Sequence, residues 1–574
     1  MAAAKRKPVQ FVVAIDFGTA YSGYAYSSVE QYKKDKLDIC ANQAWNSGVA
    51  QLISYKTPTC LLLTKNGEFV SYGYEAESAY ANILLDKKDS GYLYFRKFKM
   101  ELYNRKPSLQ MTIKDIRGFE HSALDVFSLS VNALRDKCLD YLKDKGYSLH
   151  EDETKWSVTV PAIWTDEAKM FMRKACEEAG IPKHRLIIAL EPEVASLYCQ
   201  VWNNKQMTRN IFRPGVKCLV VDLGGGTVDI TGHEILKKGL FKEICSCSGS
   251  DCGGTSVDEE FFTVLQNILG KENMDKFRTE HTMGYLELFS SFESVKRNIT
   301  REQRDKVTVG IPIGSLNSLN PEKDLETMLK NSEYCDKITL LERHSKIQME
   351  IDFVKSLFLK TIDRIISKIQ EVFLRETTHI ISVILLVGGL SESKIVQQEI
   401  KAAFNNKTVV LPHDPTLAVL KGAVLFGHRP DVVTTRIAQF SYGRKIRPIF
   451  NPKVHDESRR VSINGQDRCN GVFELLVKSG TSISIGKKIT KVYHTVSKEQ
   501  EYIRVALYKS PYNTTKYVDD SGCSLVGACL VPVQVPLDHR REVTVDFEFG
   551  DTEIFVRATD NSTRNVLRET FRLE

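Results

Sequence analysis

Short apolar runs punctuate the first 430 or so positions, and each ends in a turn. Phe11-Val12-Val13-Ala14-Ile15 runs into Asp16 and Gly18, and Cys218-Leu219-Val220-Val221 runs into Asp222 and Gly224. A continuous apolar run that stops at a loop is the pattern of a strand buried on both faces. Two further runs fit, Trp156 to Val160 ending at Pro161 and Val383 to Val387 ending at Gly388 and Gly389. Between them the period lengthens. Phe127, Val131, Leu134, Cys138 and Leu142 recur every three or four residues, which predicts a one-sided helix ending near Gly146. A second helix is predicted to start at Thr165 as N-cap, with Asp166 and Glu167 suiting the macrodipole, and to stop at Gly180 before Pro182. Strand and helix alternate up to about residue 428, so this region is α/β.

Beyond Val472 the helical period disappears. Val543, Val545, Phe547 and Phe549 alternate with Thr544, Asp546 and Glu548; Ile554, Val556 and Ala558 continue after a Gly550-Asp551 turn, and Ile503, Val505 and Leu507 show the same period earlier. A β-domain is therefore expected over 471–574. The stretch 429–470, rich in Arg, Ser, Asn and Pro, reads as a linker with an irregular lead-in.

A chain of 574 residues needs two or more cores. Its 79 basic and 72 acidic residues give a mixed-sign surface, which argues against a nucleic-acid partner. Lys5, Arg6 and Lys7 could be a nuclear address, but a solvated, disordered tail over 1–10 is the preferred reading. No apolar leader or membrane-length run occurs, so a cytoplasmic protein is expected, with the nucleus as a second location. Thirteen cysteines without a repeating framework then read as reduced thiols, and Cys245, Cys247 and Cys252 lack a fourth metal ligand nearby.

Two segments carry chemistry. Asp16-Phe17-Gly18-Thr19-Ala20-Tyr21 brings backbone amides and a hydroxyl toward an anion, beside a carboxylate able to hold a hydrated magnesium ion. In Asp222-Leu223-Gly224-Gly225-Gly226-Thr227-Val228-Asp229, three glycines remove every Cβ where backbone must approach a ligand. One such loop could be a flexible hairpin tip; two on similar strands point to a phosphate clamp.

Together these pieces resemble the actin, hexokinase and 70-kDa heat-shock superfamily, and the heat-shock branch most closely. The resemblance implies a two-lobed actin-like ATPase with ribonuclease-H-like lobes, followed by a small C-terminal β-sandwich. Lobe I would span 11–208, lobe II 209–410 with an insertion near 314–345, and 411–428 would return to lobe I. ATP or ADP with Mg2+ would bind between the lobes. Gly18, Thr19, Ala20 and Tyr21 would form one phosphate loop and Gly224, Gly225, Gly226 and Thr227 the other, with Asp16, Asp222 and Asp229 near the metal. Val158 to Ala162 resembles the segment whose proline switches the lobes, with Lys169 where the family carries an arginine. Glu191-Pro192-Glu193-Val194-Ala195-Ser196 resembles the segment whose carboxylate orients the attacking water, so Glu191, Asp222 and Thr227 would be catalytic. The catalytic lysine maps onto Lys97, with Lys99 as the alternative.

Glu293, Lys296 and Arg297 share one helix face by their spacing, and the resemblance places them in the adenosine pocket with Gly253, Gly254, Gly388, Gly389, Leu390 and Thr416. Departures occur at Ala20, Leu390 and Glu392, which replace a threonine, a serine and an adenine-stacking arginine. Those differences, with Ala20 to Tyr24 and Tyr94 to Met100, resemble the family 12 branch. Leu476 to Ile483 and Ala558 to Thr563 resemble the chaperones' peptide-binding sandwich. The sequence stops at Glu574, so no helical lid is expected, and client binding is expected to be weak and rapidly reversible. Three functions compete: a monomeric, ATP-regulated chaperone with weak ATPase activity, peptide or protein clients and nucleotide-exchange factors as partners; a nucleotide-binding scaffold without turnover; and a small-molecule kinase.

Overall fold

The computed structural model describes residues 7–570 except 43–44, 47–52, 87, 148–150, 204–210, 321, 342–344, 376–377, 464, 496–499, 534–540 and 551–552. Lys5, Arg6, Asp551 and the lobe boundary drawn at 208–209 lie outside the described residues.

Phe11–Phe17 (β1) is buried along its whole length, as a strand covered on both faces must be. It turns back into Tyr21–Ser28 (β2) and on its other side runs parallel to Thr154–Val160 (β3), which runs parallel to Leu186–Leu190 (β4). The second sheet repeats this plan. Lys217–Leu223 (β5) turns back into Val228–Ile235 (β6), which carries Phe241–Ser250 (β7) on its edge. On its other side β5 runs parallel to Val383–Val387 (β8), and β8 to Thr408–Val410 (β9). Both hairpins close in one register: Asp16 sits opposite Gly23, and Asp222 opposite Asp229.

Ala123–Asp144 (α1) is capped by Ser122, whose hydroxyl accepts from the Asp125 N–H, and it buries the expected stripe from Phe127 to Leu142. Asp166–Glu178 (α2) starts under its Thr165 cap. Glu191–Asn203 (α3), Gly254–Leu269 (α4), Thr282–Lys296 (α5), Ile351–Phe373 (α6) and Pro415–His428 (α7) follow. Helices α3 and α7 join the two sheets: one apolar cluster takes Val12 and Ala14 from β1, Cys218 and Val220 from β5, Val194 and Tyr198 from α3, and Leu420 and Val424 from α7. The helices meet closely at Gly422, where an added Cβ would lie 1.8 Å from the Val194 carbonyl oxygen. That neighbour is backbone inside a helix and cannot rotate away, so Gly422→Ala is expected to destabilise the chain by about 1–3 kcal/mol, read as a lower denaturant midpoint. An unchanged midpoint would show that the helices are not held this close.

Residues 314–345 overlap Ile313–Ser318 and contain Leu325–Lys330 and the strand Ile338–Leu341, which pairs with Lys346–Met349. Leu316, Leu325 and Met328 enter the core of the second sheet's helices. Among the described residues no helix is long and apolar enough to cross a membrane. None of the thirteen cysteines is joined in a disulfide among the described residues.

The C-terminal region forms two four-stranded antiparallel sheets. One orders Val472–Val477 next to Ser441–Ile446, then Tyr502–Ser510 and Ser524–Pro532; the other orders Lys487–His494, Glu542–Phe549, Phe555–Asp560 and Val566–Thr570. Ile503, Val505 and Leu507 meet Val543, Val545, Phe547 and Phe549 in a single core. The expected linker 429–470 contains strands among its described residues. Thr435–Ile437 pairs with Ser482–Ser484, Ser441–Ile446 is a central strand, and Arg460–Ile463 pairs with Gln466–Cys469. In the central strand only Ser441, Tyr442 and Gly443 are fully buried, too short a stretch for an apolar period to show.

Buried ion pairs dock these sheets on helices α2 and α3. Arg436 pairs with both carboxylate oxygens of Glu193, at 2.6 and 2.7 Å, and donates to the Gly550 carbonyl at 2.8 Å. Arg173 on α2 pairs with Glu553. At the start of the same helix, Glu167 accepts from Lys509 at 2.7 Å and Asp166 from the Tyr442 hydroxyl at 3.0 Å.

Candidate functional site

The β1–β2 and β5–β6 turns press against each other. A Cβ on Gly225 would come within 2.8 Å of the Ala20 Cβ, and one on Gly226 within 2.7 Å of the Thr19 Oγ1. Glycine is therefore required by this approach, not merely tolerated. Gly253 backs the second loop, since its Cβ would meet the Gly225 carbonyl oxygen at 2.5 Å. Gly388, at φ 85°, borders the same place: a Cβ there would lie 2.2 Å from Asp222 Oδ1. Its N–H donates to the Pro415 carbonyl at 3.1 Å, which sets Thr416, hydrogen-bonded to Glu392, at the rim.

Under the turns, Asp16, Glu191, Asp222 and Asp229 are all buried. Asp16 Oδ1 accepts from the Thr159 hydroxyl at 2.8 Å and Oδ2 from Lys56 Nζ at 2.5 Å. Glu191 Oε1 accepts from Lys99 Nζ at 2.8 Å, and Asp229 Oδ1 from the Ile163 N–H at 2.9 Å. Burial, followed by the charges of Glu191, Asp229 and Asp16, pushes the Asp222 carboxyl well above the usual carboxylate range. Burial lifts Glu191 to about 7 against the pull of Lys99, and lifts Asp229 against its hydrogen bonds from Ile163 and Thr227. For Asp16 burial is outweighed by Lys56, whose charge and hydrogen bond hold that carboxyl below its ordinary value.

Four carboxylates thus face two ammonium groups, Lys56 and Lys99. The remaining pair of negative charges matches one divalent cation, which would relieve the raised carboxyls. Among the described residues no group of three or more His, Cys, Asp or Glu converges as direct metal ligands.

A second cluster closes the far side. Lys296 Nζ lies 2.5 Å from both Asp258 Oδ1 and Glu293 Oε2 and donates to the Gly254 carbonyl at 3.1 Å. Arg297 pairs with Glu293 at 2.9 Å and lies 5.2 Å from the Tyr21 ring centre, so this network touches the first loop. Burial opposes ionisation of Glu293, but Lys296 and Arg297 hold it down to about 2. Leu390 lies beside Gly254, 3.8 Å from the position of an added Cβ, while Gly389 faces open space.

Lys97 lies apart from the four carboxylates. It takes a left-handed φ of 56° after the strand Tyr92–Arg96, and its ammonium lies 4.6 Å from the Phe289 ring centre and 4.0 Å from Asp258. That kink breaks the strand period, so Phe98 and Lys99 turn inward and Lys99 meets Glu191. Lys56 and Asp258 went unnoticed because a lone lysine or aspartate carries no pattern; only pairing across 40 and 38 positions places them.

The model of the family described as Hsp70 protein matches residues 97–520. Human heat shock 70 kDa protein 12B is 30% identical, covering 97% of this chain and 90% of its own. Mouse heat shock 70 kDa protein 12A is 29% identical, covering 96% and 90%. With opposed glycine turns over a buried acidic cluster, and a family match across more than half its length, this chain belongs to the Hsp70 family.

Proposed function

We propose that this protein is a slow Mg-dependent ATPase whose nucleotide state is coupled to client binding by the C-terminal sheets, read as a relative of the chaperones' substrate-binding sandwich. ATP binding accords with family membership. The observation that carries the reading is the buried set Asp16, Glu191, Asp222 and Asp229 with Lys99, beneath two opposed glycine-containing turns. Asp222 and Asp229, with Asp16, would hold the hydrated ion; Thr19, Thr227 and the turn amides would hold phosphate oxygens; Glu293, Lys296 and Arg297 would hold the adenosine end. When bound, the ion supplies charge neutralisation at the phosphates. Glu191, poised near neutrality and fixed by Lys99, orients a water and takes up its proton, while Lys99 stabilises developing negative charge.

Nucleotide binding without turnover is a second reading, favoured by the altered rim: Ala20 packs on Gly225 where the family resemblance expects a threonine, and Glu392 is engaged by Thr416. Calorimetry with Mg-ATP and a phosphate-release assay separate the two, with Asp222→Ala as the control. Heat of binding with phosphate release, both lost in Asp222→Ala, supports the ATPase; heat alone supports the scaffold; no heat rejects both. Phosphate transfer to a member of a sugar panel would instead revive the kinase.

A further inference from the structure

Lys56 enters the site by design of the fold. It stands immediately before Thr57–Pro58, which pairs with β2 at Ser22 and Tyr21. Thr59 then fastens the segment to the first turn, its hydroxyl donating to the Gly18 carbonyl at 2.8 Å and its N–H to the Ala20 carbonyl at 2.9 Å. The lysine stem crosses Gly23, the residue opposite Asp16 in the hairpin, where a Cβ would come within 3.1 Å of Lys56 Cγ. The side chains of Lys56 and Asp16 are only 12% and 6% exposed. Both oxygens of Asp16 are thereby engaged, Oδ2 by Lys56 and Oδ1 by Thr159. Asp16 is consequently less free to meet a metal ion than Asp222, and a positive charge already sits beside the first turn.

We propose that Lys56 is a resident cation of the phosphate site, held on Asp16 and able to turn to a nucleotide's phosphates, so that nucleotide binding by this chain tolerates removal of divalent ions. The proposal rests on the nucleotide reading above. A lysine ammonium is a compact point charge suited to phosphate oxygens, on a stem flexible enough to change partner. Asp16 supplies the partner that keeps the charge from being buried alone when no phosphate is present. The two ammonium groups then have separate places: Lys99 on Glu191, where the attacking water belongs, and Lys56 on Asp16, beside the first turn.

The test is ATP binding to the full chain by calorimetry, in Mg2+ and in excess EDTA, for the wild type, Lys56→Met and Lys56→Arg. For the wild type the Kd is expected to weaken by less than about tenfold in EDTA, whereas Lys56→Met weakens by about a hundredfold or more and Lys56→Arg stays near the wild type. Wild-type binding that disappears in EDTA overturns the proposal without needing a variant, and so does Lys56→Met binding in EDTA as tightly as the wild type. A thermal melt checks that Lys56→Met is folded; should it not be, the wild type and Lys56→Arg decide. No ATP binding by the wild type in either buffer sinks the nucleotide reading itself, an outcome distinct from binding that simply requires Mg2+.

Discussion

Lys99→Met is expected to slow phosphate release from ATP by about 10²–10³-fold, the usual loss when one preorganised group facing transition-state charge is removed. Lys97→Met is expected to stay within about threefold of the wild type, because its ammonium lies over Phe289 and beside Asp258 instead of among the four carboxylates. A single phosphate-release assay on both variants therefore distinguishes the two lysines, and equal losses would discard the assignment. Stability gives a separate readout. Without Lys99, Glu191 keeps its burial but loses the charge that opposes its raised pKa, so its folded carboxyl binds a proton still more tightly. A carboxyl whose folded pKa is raised favours the folded state below its unfolded pKa and loses that advantage as pH climbs through the folded value. Lys99→Met should accordingly be most destabilised at and above neutral pH and least near pH 5, whereas Lys99→Met with Glu191→Gln should lose this slope and recover stability without recovering turnover.

The sequence made the strands and the loops legible because both rest on local chemistry. Phe11 to Ile15 must be covered on both faces, and Gly224 to Gly226, paired with a second turn on a similar strand, point to backbone that meets something closely. The helix stripe from Phe127 to Leu142 was legible for the same reason, being a period complete within one element. What escaped were partnerships between distant positions. Asp166 and Glu167 looked like residues tuned to a helix dipole, yet the structure also gives them to Tyr442 and Lys509 across a domain contact. Lys97 and Lys99 could not be ranked from spacing, since one left-handed residue decides which of them faces inward. Thr435–Ile437 and Ser441–Ile446 looked irregular because their partners lie far along the chain and few of their side chains reach a core.

Glu193→Ala is expected to release the C-terminal sheets from the first lobe, seen as a larger radius of gyration in solution scattering and faster proteolysis around 429–436. The side chains of Arg436 and Glu193 are only 9% and 3% exposed, so removing the carboxylate strands a buried guanidinium, a change of about 3–5 kcal/mol where an exposed pair would give under about 1. At the docking equilibrium this is a shift of roughly two to four orders of magnitude, and Arg173–Glu553 with Lys509–Glu167 are left to hold what remains. Exchanging the charges in Glu193→Arg with Arg436→Glu should restore part of the docked population. The effect should also reach the nucleotide. Glu193 stands two residues from Glu191 in the first turn of α3, so the helix end that offers one carboxylate to Lys99 offers the other to Arg436. If docking and nucleotide binding bias the same helix end, each must change the other's affinity by an equal factor. Glu193→Ala with an unchanged radius of gyration would show that the other pairs suffice for docking, and a released domain with unaltered ATP affinity would show that α3 carries no coupling.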